Sequence, residues 1–142
     1  MNNKKVIKWA LIGVGGLFLA YVASIVWFEV QLGINQPQGS TSIVIATFND
    51  DNQRHERVVR LEQIEGQYYV AANHWPRAWF NQAVENPSVE VKMSDADRFE
   101  PYTAVLLVGA EHERIGEIYT FGFEFRFRTG FPPRYFLRLE PQ

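Results

Sequence analysis

The 142-residue chain contains no cysteine, which excludes disulfides, thiolate nucleophiles and cysteine-ligated zinc or iron–sulfur centres. The same absence fixes no redox compartment, because cytosolic and exported domains alike can do without disulfides. Histidine is scarce as well: His55, His74 and His112 lie far apart and never at H-x-x-x-H spacing, so a transition-metal site has little to build on. No G-x-S-x-G elbow marks a serine nucleophile. No G-x-x-x-x-G-K-[ST] loop offers backbone N–H groups to a phosphate. Lysine is nearly absent outside the first eight residues, where Lys4, Lys5 and Lys8 account for three of the four. Setting those three aside leaves 11 basic against 16 acidic residues, a net charge of −5 for the remainder. Such a surface is poorly suited to phosphate backbones, and no nucleic-acid partner is expected. The remaining cations are ten Arg and one Lys, which suits paired or anion-binding sites better than a solvated basic face.

What the chain does have is one long apolar run. "WALIGVGGLFLAYVASIVWF", residues 9 to 28, carries no charge and is flanked by Lys8 and Glu29. As a helix its 20 residues span roughly 30 Å, the thickness of bilayer hydrocarbon. Trp9 and Trp27 stand near its ends, where indole rings favour the membrane interface. A cleaved signal peptide or a buried core helix are the alternatives, but the run exceeds a usual signal core and Tyr21 spoils a cleavage site at Ala23. We therefore expect residues 1–30 to be a retained single-pass anchor in the cell membrane. Lys4, Lys5 and Lys8 precede the span and Glu29 follows it, which by the positive-inside bias leaves the N-terminus cytoplasmic and the domain extracytoplasmic. Gly16, Ala20 and Ser24, four residues apart, would let two such helices approach closely, and a homodimer is one expectation.

Residues 31–41, polar with two Gly and a Pro, read as a linker. The domain then occupies 42–142. "SIVIATF" suits a buried strand, "NDDNQ" a turn, and "RHERVVRLEQI" followed by "EGQ" and "YYVAA" makes two hairpins in series. Pro76 stands near the start of a helix in "PRAWFNQAVEN", where Trp79, Phe80 and Ala83 recur at helical spacing and "NP" stops the chain. "SVEVKM" alternates as a strand, and "RFEPYTAVLLVGA" is a longer one with Pro101 at an edge or bulge. "EHERIGEIYTF" could form a helical turn or two. In "FGFEFRFR", Phe121, Phe123, Phe125 and Phe127 fall at alternate positions, which predicts a strand with one apolar face. "YFLRLE" is the last strand. The pattern predicts a mainly β (α+β) domain, a small antiparallel barrel or rolled sheet with one or two short helices, behind a single transmembrane helix.

Two constellations invite chemistry. Glu111 and Glu113 flank His112, but on a strand the imidazole would face away from both, and an exposed polar turn is the simpler reading. The stretch "AANHWPRAW" is harder to set aside. Where a strand ends and a helix begins, N–H groups from Trp75 to Trp79 are left to meet an anion or a polar ring edge, with Arg77 beside them and Trp75 and Trp79 as a flat wall. The alternative is that Trp79 and Phe80 anchor a helix across a sheet, with Asn73 or His74 capping it.

The layout "EGQYYVAANHWPRAWFNQAVENPSVEVKM" resembles the deazaflavin-dependent nitroreductase (nitroreductase/quinone reductase) family, relatives of the flavin-binding split β-barrels. Tyr69, Val70, Asn73, Pro76, Ala78, Trp79, Asn86, Pro87, Val89 and Val91 occupy the family's characteristic places. Similarity continues through "YTAVLLVGAEHERI" and "RYFLRLEP". The resemblance implies a split antiparallel β-barrel that seats a deazaflavin (coenzyme F-420) or FMN at the strand-to-helix corner, on Asn73, His74, Trp75, Arg77 and Trp79. It also implies hydride transfer to an apolar acceptor, a quinone or nitro compound, and it identifies no catalytic side chain. The sequence departs from the family between the first two strands. A basic G-R-K-S-G type segment usually holds cofactor phosphate there, and this chain has "NDDNQRHER". Asp50 and Asp51 would repel a phosphate, while Arg54 and Arg57 could partly substitute for the missing cations. The second reading is therefore a non-catalytic ligand- or partner-binding module on the same fold.

Overall fold

A computed structural model describes residues 3–35, 41–72 and 77–142. The β-branched segment Ser42–Phe48 forms β1, and a turn through Asn52, at φ 58°, returns the chain as β2, Arg54–Ile64. Glu65 and Gly66 both have positive φ, and they alone separate β2 from β3, Gln67–Ala72. This two-residue loop matches the right-handed twist of the strands it joins. Helix α2, Ala78–Glu85, precedes β4 (Ser88–Lys92), β5 (Glu100–Leu106), two short helices α3 (Gly109–Ile118) and α4 (Phe123–Arg128), and the final strand β6, Tyr135–Pro141. Every pairing is antiparallel, and the order β1-β2-β3-β6-β5-β4 closes on itself because β4 also pairs with β1. Closure leaves no open edge. Pro101 accordingly sits near the start of β5, opposite Glu90 of β4 and before the ladder to β6 begins at Tyr102.

Alternation along the strands sorts the side chains into two cores. Ile43, Ile45, Val59, Val70, Val89, Val91, Leu137 and Leu139 fill the barrel, joined by Trp79, Phe80 and Ala83 of α2. The amphipathic spacing of α2 thus packs it onto the barrel interior, and its C-cap Asn86 precedes Pro87, as residues before proline avoid the α region. A part-buried hydrogen bond from the buried Thr47 Oγ1 to Gln82 Oε1, 2.7 Å, ties α2 to β1. Outward positions on β3 and β6, Tyr69 and Phe136, form a second cluster with Leu107, Ile115 and Tyr119, which seats α3 on the outer face.

Residues 121–128 do not form the strand their alternation predicts. Phe123–Arg128 is helical, because a period of two also contains the four-residue spacing of a helix. Phe121 stacks on Phe125 at 4.8 Å and Phe123 on Phe127 at 6.0 Å, two (i, i+4) pairs. With the barrel already closed by six strands, a seventh would find no edge.

The first element, α1, runs from Asn3 to Ile34 and therefore extends into the segment read as linker. It is long and apolar enough to cross a membrane, and none of its most apolar stretch is buried, which rules out a core helix. Contacts from its C-terminal half reach the domain. Tyr21 Oη donates to the Phe127 carbonyl at 2.8 Å, and Glu29 pairs with Arg77 at 2.8 Å. Gly130 has φ 72°, and a Cβ there would stand 2.7 Å from Ile25 Cδ1. Only glycine takes that turn against α1 without strain.

Candidate functional site

A cavity of about 530 Å³ opens beside α2, between β2, β3, the α3–α4 connection and the end of α1. Outward residues Val58, Arg60 and Glu62 of β2 line one wall, and Ala71 and Ala72 line the floor along β3. Two alanines leave a flat ring room to approach the strand backbone. Tyr119, Phe121 and Phe125 form an aromatic wall opposite, and Trp79 closes the inner end with 8% of its surface exposed. The volume falls in the usual range for small-molecule sites, roughly 300–1,000 Å³.

Three guanidinium groups border this space, those of Arg57, Arg60 and Arg77. Arg77 is held by Glu29 of α1, and Arg57 reaches the Leu32 carbonyl at 3.5 Å. Burial, and then the charge of Arg77, push the Arg57 guanidinium below its ordinary basicity. Two cations facing one partly desolvated cavity repel, and an anion between them would relieve that repulsion. Tyr119 donates to the Tyr69 carbonyl at 3.0 Å, and burial raises its phenol well above the ordinary range, so it is a fixed neutral wall and not an acid near neutral pH. Arg134 secures the end of α3 by donating to the carbonyls of Gly116 and Tyr119, with its guanidinium between the rings of Phe121 and Phe136.

Of the sequence-derived site residues, Arg77 and Trp79 both line the cavity, whereas Asn73, His74 and Trp75 lie outside the described residues. The two substitutes considered for the missing basic segment part company. Arg57 faces the cavity, but Arg54 pairs with Glu56 and Glu90 and lies 4.2 Å over the Phe99 ring. Asp50 and Asp51 do not line the cavity. The wall residues Tyr119, Phe121 and Phe125, with Leu32 of α1 and Asn35 just after it, had no local signal, since they meet only through the closed topology. Arg60 and Glu62 were legible as outward positions of an alternating strand. His112 belongs to α3, where its Nε2 lies 3.0 Å from the Arg134 carbonyl and its ring packs on Phe136, which is a structural role.

A second cleft, about 400 Å³, lies among Glu65, Gln67, Tyr69, Glu111, Arg114, Arg138 and Glu140. Its charges are spent on one another. Arg138 donates to both Glu111 oxygens at 2.6 and 2.7 Å and to Glu140 at 2.8 Å, while Arg114 pairs with Glu65 at 3.0 Å.

No protein-family profile and no curated protein matches the sequence. Solved structures do match in fold. An F420-H2 dependent reductase, FDR-A, superposes with a TM-score of 0.55 at 20% identity over 75% of this chain and 99% of its own. A putative pyridoxamine 5′-phosphate oxidase from Listeria innocua gives 0.51 at 15% identity, covering 72% and 84%. HutZ, a heme storage protein from Vibrio cholerae, gives 0.51 at 16% identity, covering 74% and 84%. Together with the closed six-stranded antiparallel order, these likenesses establish the fold as the split β-barrel that F420-H2-dependent reductases share with pyridoxamine-phosphate-oxidase-like proteins.

Proposed function

We propose that the chain is a membrane-anchored split-barrel protein that binds a deazaflavin or flavin in the cavity beside α2 and reduces an apolar acceptor, a quinone or nitro compound. The observation that carries this reading is the convergence of Arg57 and Arg77 on a cavity walled by Tyr119, Phe121 and Phe125. The donor set fits such a group: Arg57 and Arg77 would hold its anionic portion, and the aromatic wall and the small Ala71 and Ala72 would admit its flat ring. The bound cofactor supplies hydride transfer, and the protein binds, orients and keeps water from the ring. Neighbouring folds that act through F420-H2 support the choice of cofactor class.

Retention of α1 is supported by its contacts with the domain, since Glu29 and Tyr21 are both engaged there. The basic N-terminus supports a domain outside the cytoplasm by the positive-inside bias, and Gly16, Ala20 and Ser24 offer a face for pairing two copies.

The second reading is a non-catalytic binding module, favoured by the acidic turn that stands where the family keeps its basic segment. That the same fold serves a heme storage protein shows such a use to be compatible with it. Both readings meet one experiment. The full chain in detergent or nanodiscs is titrated with FMN and with a deazaflavin, following cofactor fluorescence, and protein loaded with the chemically reduced cofactor, the hydride donor, is then offered a soluble quinone without oxygen. Saturable quenching followed by quinone reduction is the expected result. Binding without reduction selects the second reading, and no binding at tens of micromolar with an intact circular dichroism spectrum overturns the first.

A further inference from the structure

Helix α4 and the turn that follows it leave three rings uncovered. Phe123 is 73% exposed, Phe127 47% and Phe131 43%, although the sequence has placed other Phe side chains of the same segment inward on the cavity. A contiguous apolar patch of this kind on a water-facing surface marks a contact site. The position of α4 on α1 says what it contacts. Tyr21 packs on Phe127 with ring centroids 4.8 Å apart, Phe28 meets Phe125 edge-on at 6.2 Å, and Gly130 closes on Ile25. All three α1 residues belong to the uncharged run that ends at Phe28. The domain's charged tie to α1, at Glu29, and the Arg57 contact with the Leu32 carbonyl come after it, while the hydrogen bond from Tyr21 Oη to the Phe127 carbonyl lies within it.

If α1 crosses the membrane, α4 therefore lies beside the last two turns of the span. Seven residues of helix separate Tyr21 from Phe28, a depth of about 10 Å. Interfacial helices bury their apolar faces about 5–10 Å into the headgroup and acyl boundary, with basic side chains reaching back to the headgroups. The segment has that chemistry. Phe123, Phe127 and Phe131 are its apolar side, and Arg126 and Arg128 are long cations over the rings of Phe131 and Phe28 at 5.4 and 6.0 Å. Glu124 pairs with Arg128 at 2.8 Å, so one positive charge is left over on α4.

We propose that α4 with the turn after it is a second membrane contact, an interfacial element whose Phe123, Phe127 and Phe131 enter the leaflet beside α1 while Arg126 and Arg128 stay at headgroup level. The proposal rests on the anchor reading of α1. Its consequence is positional: Phe121 and Phe125, from the same segment, line the cavity, so the aromatic wall of the site is continuous with the element that touches lipid.

The absence of native cysteine allows a direct test. Three single variants of the full chain, Leu17→Cys, Phe123→Cys and Asp51→Cys, are spin-labelled and reconstituted in phosphatidylcholine vesicles containing phosphatidylglycerol. Collision with oxygen and with a water-soluble nickel complex is then measured. All three positions are exposed, so labelling does not disturb the core. Expected are oxygen-dominated collisions at Leu17, nickel-dominated collisions at Asp51, and a depth of about 5–10 Å below the phosphates at Phe123. A nickel-accessible Phe123 with Leu17 still in lipid overturns the role of α4 and leaves the anchor standing. Leu17 in water overturns the anchor and this proposal with it.

Discussion

Two clefts on one barrel divide its charged residues in opposite ways. In the cleft around Arg138 each cation already has its carboxylates: Glu111 and Glu140 on Arg138, Glu65 on Arg114. In the cavity beside α2, Arg60 pairs with Glu62 and Arg77 with Glu29, Arg57 lies close enough to feel the charge of Arg77, and the opposite wall is aromatic. A balanced cluster on a wet surface contributes modestly to stability and offers a ligand nothing that is not already taken. Beside an apolar wall the repulsion between Arg57 and Arg77 persists, and a flat anionic ligand answers both features at once. The difference teaches where to look for binding on a chain without catalytic motifs, and it can be broken by substitution.

The largest effect is expected at Trp79, which belongs to both the barrel core and the cavity. Trp79→Ala should cost about 3–5 kcal/mol of stability, read by thermal or denaturant unfolding, because the indole leaves a void among Phe80 and the barrel residues. Loss of ligand binding in that variant would say nothing about the site unless the folded fraction is measured alongside.

Arg57 gives the cleaner contrast. Arg57→Ala should weaken binding of FMN or deazaflavin on the order of 10- to 100-fold, the value of one or two charge-assisted hydrogen bonds. Arg138→Ala, in the balanced cleft, should leave that affinity unchanged. Arg77→Ala is expected to weaken binding similarly, but it also strips Glu29 of its partner and so loosens α1 from the domain. Equal effects of Arg57→Ala and Arg138→Ala in the fluorescence titration would erase the distinction between the clefts.

How much of this could be read from the sequence follows from which contacts are local. The hairpins β1–β2 and β2–β3 were legible because their alternation and turns lie within the one continuous stretch from Ser42 to Ala72. Helix α2 was legible from Trp79, Phe80 and Ala83 and its stop at Asn86–Pro87. The 20-residue uncharged run announced α1. A small barrel was expected, but which strands close it was not legible, since β1 meets β4 and β3 meets β6 across long stretches of chain whose pairing no local pattern encodes. The Phe run misled because alternate spacing serves a strand and an (i, i+4) ladder equally. For the site, Arg77 and Trp79 stood in one suspicious stretch and both line the cavity. Its aromatic wall arrives from 40 residues later, carried by α3 and α4, and no spacing rule joins Phe121 to Trp79.

The smallest effect is expected in the balanced cleft, and its sign follows from Glu111. Hydrogen bonds from Arg138 hold this carboxyl below its ordinary value, aided by the charge of Arg138 and the Tyr69 hydroxyl against partial burial. A carboxylate whose folded value is depressed contributes stability that is fully present above its ordinary value of about 4.3 and is lost as pH falls through the folded value. Glu111→Gln removes that contribution at every pH. The wild type should therefore be more stable than Glu111→Gln at pH 7, by no more than about 1 kcal/mol because the pair is only partly shielded from water. The two unfolding midpoints should converge as the pH drops below the ordinary carboxylate range. A constant gap down to the lowest pH would mean that Glu111 acts through packing, and a shift in cavity affinity at pH 7 would mean that the two clefts are coupled through Tyr69, whose carbonyl holds Tyr119 in the cavity wall.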